Sequence, residues 1–364
     1  MRSATAYAPG RVELLGNHTD YNLGVVLAAA IDRGITIQGS VRDDGVISLT
    51  SPLDPNIVEI ALKEFRPQEG PARWANYALG VVREFLDAGY KISGFDAEIS
   101  GDLPIGAGLS SSAAFEVATA VFLAKLFDAN IDALTVVRLC RKAENDFVGV
   151  KSGLLDQVTS VFGRASHLVY LDCKTEKVNA IPFPADLALV IANSGTKHNL
   201  LRSHYNKRRE ECAAAAQALG VSSLRDIAPD GLASQGATID PVLFRRALHI
   251  VGENNRVRQA IDFLNAGNSA SFGELMNLSH ESSRVNFENS TEELDLLVSI
   301  AQSLPGVLGS RLTGGGFGGG TVTLASAATA PKIVDALNER YAESSGRSAN
   351  AFICRIGDGA VREL

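Results

Sequence analysis

Six glycines around one phenylalanine, in the run Thr313–Gly320 (TGGGFGGG), constrain this chain more than any other stretch. A flexible linker can have that composition. A linker, however, is not flanked at once by strand-like segments, and Val307–Leu312 and Thr321–Leu324 both read as strand. The run is therefore expected to form a tight loop at an interface between two parts of the fold.

The elements around it mix strands and helices without strict βαβ alternation, which favours an α+β design over a doubly wound sheet. The first hundred residues read mostly as strands: Gly24–Gly39, then Val41–Ser51 alternating around a polar turn, then Phe95–Ser100. Helices are expected at Ala75–Ala88, Ser111–Phe127 and Leu134–Phe147. A composition break at Ile181–Pro184 precedes a buried-looking strand, Leu187–Asn193, so the chain is divided into domains at 1–182 and 183–364. In the second, helices fit about Leu200–Leu219, Pro241–Asn265, Phe272–Ser283, Glu292–Ser303 and Pro331–Ser344, with a last strand at Ala349–Arg355.

A chain of 364 residues can bury two substantial cores, and 46% hydrophobic with 21% charged residues argues against disorder. The net charge of −7 carries no basic nucleic-acid footprint. The isolated Cys140, Cys173, Cys212 and Cys354 form no CxxC pair and have no zinc-ligand spacing to histidine, which suits reduced thiols. There is no signal-peptide pattern and no run long enough to span a membrane. A cytoplasmic protein without nucleic-acid or membrane partners is expected, with oligomeric state open and a monomer plausible.

Three further segments carry chemistry. Ala8–Leu27 (APGRVELLGNHTDYNLGVVL) sets a cation, Arg11, and a polar cluster between apolar runs. Alone, Asp20–Gly24 reads as well as a solvated turn, yet the cluster also supplies the convergent donors and acceptors that a polyhydroxylated ligand needs. Leu103–Ala114 (LPIGAGLSSSAA) leads glycines and serines into a helix start, suited to an anion, although a glycine turn with a serine cap gives the same pattern. It is not a Walker A sequence, since no Lys-Ser or Lys-Thr pair follows. Ala143–Val158 holds Glu144 in a helix and Asp156 after a glycine turn, either of which alone would read as a cap or surface acid.

Taken together, in this order and spacing, these segments resemble the GHMP kinases, and among them the galactokinases. The segment Asn193–Cys212 is similar to one that carries a sugar-contacting tyrosine there, and the likeness covers nearly the whole chain. The resemblance implies a two-domain fold with the active site in the inter-domain cleft, and transfer of a phosphoryl group from ATP to a sugar with Mg²⁺. It places Asp156 on the catalytic aspartate and Arg11 on its partner, and Asn17, His18, Thr19, Asp20, Gly153 and Tyr205 on sugar contacts. Gly106, Ala107, Gly108, Leu109, Ser110, Ser111 and Ser112 fall on the phosphate loop, and Ser112 with Glu144 on the magnesium ligands.

Departures from the family pattern touch substrate identity more than reaction type. The sugar tetrad usually begins with glutamate and here begins with Asn17, an amide that donates as well as accepts, at a position implied to meet the C6 hydroxyl. Galacturonate, arabinose or N-acetylgalactosamine therefore stand beside galactose as candidate substrates, and a non-catalytic sugar sensor beside a kinase. Arg284–Val285–Asn286–Phe287 lacks two acids of the usual run, and Gly320 replaces a frequent cysteine.

Overall fold

A computed structural model describes residues 2–104, 106–196, 201–233 and 239–364. Residues 197–200 of the tyrosine-bearing segment, including the expected helix start at Leu200, and Ile105 of the glycine–serine loop lie outside the described residues. In chain order the first half contains β1 (Ser3–Leu15), β2 (Val25–Arg42), β3 (Val46–Ser51), β4 (Asp54–Ala61), α1 (Asn76–Asp87), β5 (Gly94–Gly101), α2 (Ser111–Phe127), α3 (Ala133–Lys142), α4 (Leu155–Phe162), β6 (His167–Asp172) and β7 (Lys177–Pro182). There follow β8 (Leu187–Asn193), α5 (Leu201–Ala218), α6 (Pro229–Ala233), α7 (Pro241–Asn265), α8 (Ser269–Ser282), α9 (Glu292–Gln302), β9 (Val307–Thr313), β10 (Gly320–Ser326), α10 (Ala330–Ser345) and β11 (Phe352–Cys354).

Among the described residues the strands form two sheets. One runs β4-β3-β5-β2-β6-β7 with β1 paired to β2; the other runs β11-β8-β10-β9 and is antiparallel throughout. The long β2 organises the first: Val25–Ala28 pair with β6, Ile35–Arg42 pair with β5, and β1 runs antiparallel along it. The strands without an advance reading, β1, β4, β6 and β7, include both ends of this sheet, where exposed polar residues break the apolar run that marks a central strand.

Helix α2 is apolar on nearly all faces because it is buried on nearly all, between the first sheet and α1, α3 and α4. Its first turn is thereby held rigidly at the mouth of the glycine–serine loop. Helix α7 starts where the sequence dictates: Asp240 accepts hydrogen bonds from the backbone N–H groups of Val242 and Leu243, with Pro241 in the first turn. Each half has an apolar cluster of its own, and a further cluster spans both. Val12, Leu14 and Leu27 of β1 and β2 pack in one cluster with Leu189, Val322, Val257 and Phe272. This shared core fixes the two halves against each other beside the cleft.

Helix α8 lies directly on β9, because Gly273 and Gly309 bring backbone against backbone. A methyl group at either position would collide with a main-chain atom of the other element. Gly273→Ala is expected to push α8 off the strand that leads into the glycine run. The cost is of the size of core overpacking, ~2 kcal/mol, and thermal unfolding should show a Tm several degrees lower.

Candidate active site

Two segments, the loop before α2 and the start of α4, converge on Arg11 of β1. Its N–H donates to the carbonyl of Leu109 (3.1 Å), and its guanidinium donates to the carbonyl of Gly108 (2.6 Å) and, through Nε, to Asp156 Oδ1 (2.8 Å). The loop holding Leu109 also abuts the glycine run. Gly108 has a left-handed φ of 73°, and a Cβ there would stand 2.9 Å from the carbonyl of Thr313. Gly314 has φ 74° and faces Gly108 from the other side. The long glycine run is thus a close-packed loop, as its strand flanks require.

Asp156 lies in the first turn of α4 and opens onto a cleft of about 400 Å³. Its second oxygen accepts a hydrogen bond from Ser110 Oγ. Ser110 has a left-handed backbone (φ 53°) and makes no capping bond to α2, so the helix-cap reading of this serine does not hold. Its side chain turns from the helix to the acid. Arg11, Glu13, Asn17, His18, Asp20, Ser112, Glu144, Gly153 and Tyr205 share the cleft with Asp156.

The sugar segment divides into lining and scaffold. The hydroxyl of the fully buried Thr19 is shared between the carbonyls of Gly16 and Val25, each at 2.8 Å, and holds the turn rather than facing the cleft. His18 points Nε2 at the carbonyl of Gly315 (3.0 Å) and Nδ1 at the hydroxyl of Tyr21 (2.8 Å). A carbonyl only accepts, so the proton sits on Nε2 and Nδ1 accepts from Tyr21. Burial lowers its pKa to about 4, which keeps the ring neutral. Its face packs against Tyr205 and Phe287, with ring centroids 5.0 and 4.6 Å away. Gly153 is a glycine because any Cβ would collide with the carboxylate of Asp20.

Glu144 sits on a π-helical turn, Ala143–Val148, that follows α3, a distortion that re-aims side chains at functional sites. Burial raises its pKa, against hydrogen bonds from Ser152, Gln157 and Ser112. A hard carboxylate and the hydroxyl of Ser112 are therefore neighbours at the cleft wall. Among the described residues no group of three or more His, Cys, Asp or Glu could enclose a metal. The pair fits Mg²⁺ as a partial shell, the form in which that ion is held with phosphates and water.

A second, more apolar cavity of about 320 Å³ adjoins the first and shares Tyr77 and Ser112 with it. Trp74, Leu103, Phe115 and Ser111 line it, and Trp74 stacks on Phe115. Of the expected phosphate loop, Ser111 and Ser112 border a cavity, whereas the side chains of Ala107 and Leu109 are core. Sequence reasoning missed Glu13, Tyr77 and Ser152, and read the glycine run, whose Gly314 and Gly315 line the cleft, as an interface loop. Only Glu13 had a usable signal, since it lies two residues from Arg11 and so on the same face of a strand.

The chain matches three family models: the galactokinase galactose-binding signature over residues 2–41, the GHMP kinases N terminal domain over 76–164 and the GHMP kinases C terminal domain over 260–343. It is 42% identical to a galactokinase of Roseiflexus sp. (strain RS-1) over 98% of this chain and 92% of that one, and 39% identical to galactokinase of Homo sapiens over 97% and 90%. The crystal structure of Lactococcus lactis galactokinase complexed with galactose superposes with a TM-score of 0.94 at 37% identity, covering 98% of this chain and 94% of that one. The chain belongs to the galactokinase family of GHMP kinases. A mevalonate kinase at 19% identity and a TM-score of 0.68 shares the fold. Galactokinase family membership makes this an ATP-dependent sugar kinase of mixed α+β fold, with sugar and ATP as small-molecule substrates.

Val285 and Asn286, where the galactokinase pattern has two acids, do not line the cleft. Val285 is exposed, and Asn286 gives its carbonyl to Arg246 (2.6 Å) and its amide to Ser282. Asp20 is a cleft acid whose titration is strongly displaced. Burial first, then the charge of Asp156, raise it from 3.8 to about 7, opposed by the N–H of Tyr21. Between those values the unfolded chain has released a proton that the folded chain still binds, so this group's contribution to stability falls as pH rises to 7 and is level above. Asp20→Asn should remove that loss. In urea unfolding the variant is expected to gain on the parent from pH 4 to 7, by roughly 2 kcal/mol once partial solvent access is allowed for.

Proposed function

We propose that this galactokinase family member transfers the γ-phosphoryl group of ATP to the anomeric hydroxyl of α-D-galactose, giving galactose 1-phosphate and ADP. The observation that carries the reading is the Arg11–Asp156 pair, set between the glycine–serine loop and the sugar segment and open to one cleft. Galactose is supported by the galactose-binding signature over residues 2–41 and by the galactose named in the Lactococcus lactis complex.

In this reading the sugar rests against Asp20, Tyr205 and the main chain at Gly153, whose missing side chain leaves the room that Asp20 occupies. Asp156 accepts the hydrogen bond of the attacking hydroxyl and takes its proton as the oxygen bonds to phosphorus. Ser110 and Arg11 fix the two carboxylate oxygens, so one rotamer presents them to the cleft. The guanidinium of Arg11, always charged, offsets negative charge on the phosphoryl group in flight. The phosphates lie at the start of α2, where free N–H groups meet them. Ser112 and Glu144 would hold Mg²⁺, which draws charge from the phosphate oxygens when bound. The adenine fits the second cavity, flat and largely apolar, beside Trp74, whose indole N–H is buried without a partner. No helix among the described residues is long and apolar enough to cross a membrane. The reading puts the enzyme in the cytoplasm because sugar and ATP are both present there.

Trp74 is the sole tryptophan of the chain, so its emission reports on this cavity alone. Titration with ADP should shift or quench that emission to saturation, and an unchanged spectrum with ADP bound would place the base elsewhere. With the same probe, Asp156→Asn should bind ADP within about threefold of the parent while kcat falls by ~10³, the scale of a lost general base. A variant that keeps turnover would remove Asp156 from the chemistry. If no sugar of a panel headed by galactose drives ADP release in the parent, the kinase assignment itself fails.

A further inference from the structure

The Asn17 side chain has nothing left to offer a substrate. Its amide group has two N–H bonds. One goes to the carbonyl of Gly314 (2.8 Å) and the other to the carboxylate of Glu13, at 3.2 and 3.4 Å from its two oxygens. Its carbonyl oxygen accepts from Asn289 Nδ2 (2.9 Å) and lies 3.4 Å from Ser283 Oγ. The residue is 1% exposed, and its backbone is held too: its N–H donates to Glu253 and its carbonyl accepts from His249 Nε2. An amide fastened at every atom positions its neighbours and cannot rotate to meet a sugar hydroxyl.

The neighbour it positions is Glu13. Two residues beyond Arg11 on β1, Glu13 borders the same cleft as Asp156. The donors on its carboxylate are Asn17 Nδ2 and Arg311 Nη1, the latter 3.3 Å from Oε1. A carboxylate offers about four acceptor directions, so about two stay open. Arg311 is itself fully buried and donates to the carbonyl of Leu14 (3.0 Å), so the cation that anchors Glu13 is fixed as well.

We propose that Glu13 is the residue that accepts a hydrogen bond from a substrate hydroxyl in this part of the cleft, with Asn17 as its positioning residue. The carboxylate that the family pattern puts at position 17 is supplied here from position 13, and the amide stands where the acid would be. The consequence is for specificity: the site keeps an acceptor-only group toward the sugar and selects a hydroxyl at that carbon. This rests on the kinase reading above and deepens it.

The test uses purified full-length protein in an ADP-release assay with galactose and its 2-, 3-, 4- and 6-deoxy analogues. The parent should discriminate against the analogue that lacks the hydroxyl facing Glu13 by tenfold or more in kcat/KM. A hydrogen bond to a charged group is worth about 1.5–3 kcal/mol, or roughly 10- to 150-fold. Glu13→Asn should lower kcat/KM for galactose by about that factor, chiefly through KM, and treat that one analogue and galactose alike. The exchanged variant Glu13→Asn/Asn17→Glu keeps one carboxylate and one amide with their places reversed, and should recover KM to within about threefold. Equal turnover of galactose and every deoxy analogue by the parent overturns the proposal without any variant having to fold. So does a Glu13→Asn enzyme with the parent's discrimination, or an exchanged variant no better than Glu13→Asn. Absence of turnover with every sugar in the parent, by contrast, sinks the kinase reading.

Discussion

Everything in the cleft is referred to Arg11. One residue of β1 ties the loop before α2 through its N–H and guanidinium, and reaches Asp156 of α4 with the same guanidinium. Its side chain is only 6% exposed. Removing one member of such a pair would strand a charge in a poorly hydrated place, which costs more than the pair itself contributes. The arrangement therefore selects geometry rather than stability. With β1 fixed in the sheet along β2, the place of Arg11 between the acid and the glycine–serine loop follows from the register of two strands.

The glycine run closes the same arrangement from the other half of the chain. Its carbonyls do the binding: Gly314 to Asn17, and Gly315 to His18 and Asn289. Side chains could not bring a main chain so close to β1 and the loop at Gly108. The run is rigid in function though flexible in composition. That its strand flanks are legible and its partners are not reflects a general asymmetry: a strand is announced by its own residues, whereas a carbonyl acceptor has no letter in the sequence.

The same asymmetry runs through the rest of the fold. Helices α2 and α7 were readable to the residue, because burial on all faces and an Asp-Pro start leave local marks. Edge strands β4 and β7 were not, since their exposed residues look like loop. In the site, Arg11, Asp156, Asp20 and Glu144 stood out by residue type within known motifs, and all four border one cleft. Thr19 stood in the motif equally well, yet its hydroxyl is spent on two backbone carbonyls. Type and position could not separate a lining residue from the residue that bends the chain beneath it.

Behind the cleft lies a second layer of buried charge with a different logic. Glu253 is fully buried, yet Arg256 and Arg311 outweigh the effect of burial and hold its pKa well below the ordinary carboxylate value. Its carboxylate accepts the N–H groups of Gly16 and Asn17 (2.9 and 2.8 Å) and so fixes the turn that carries the sugar segment. Glu13, on the same Arg311, keeps a raised pKa, because burial there exceeds the help from that arginine and from Arg11. The difference is one of partners among the described residues: Glu253 accepts from Gly16, Asn17 and Arg256 and serves as structure, while Glu13 accepts from Asn17 and Arg311 alone and borders the cleft with acceptor directions to spare. A buried carboxylate under-supplied with donors is held at a cost that a bound hydroxyl relieves. The two acids that share one arginine thus divide its work, one to hold the site in shape and one to read what enters it.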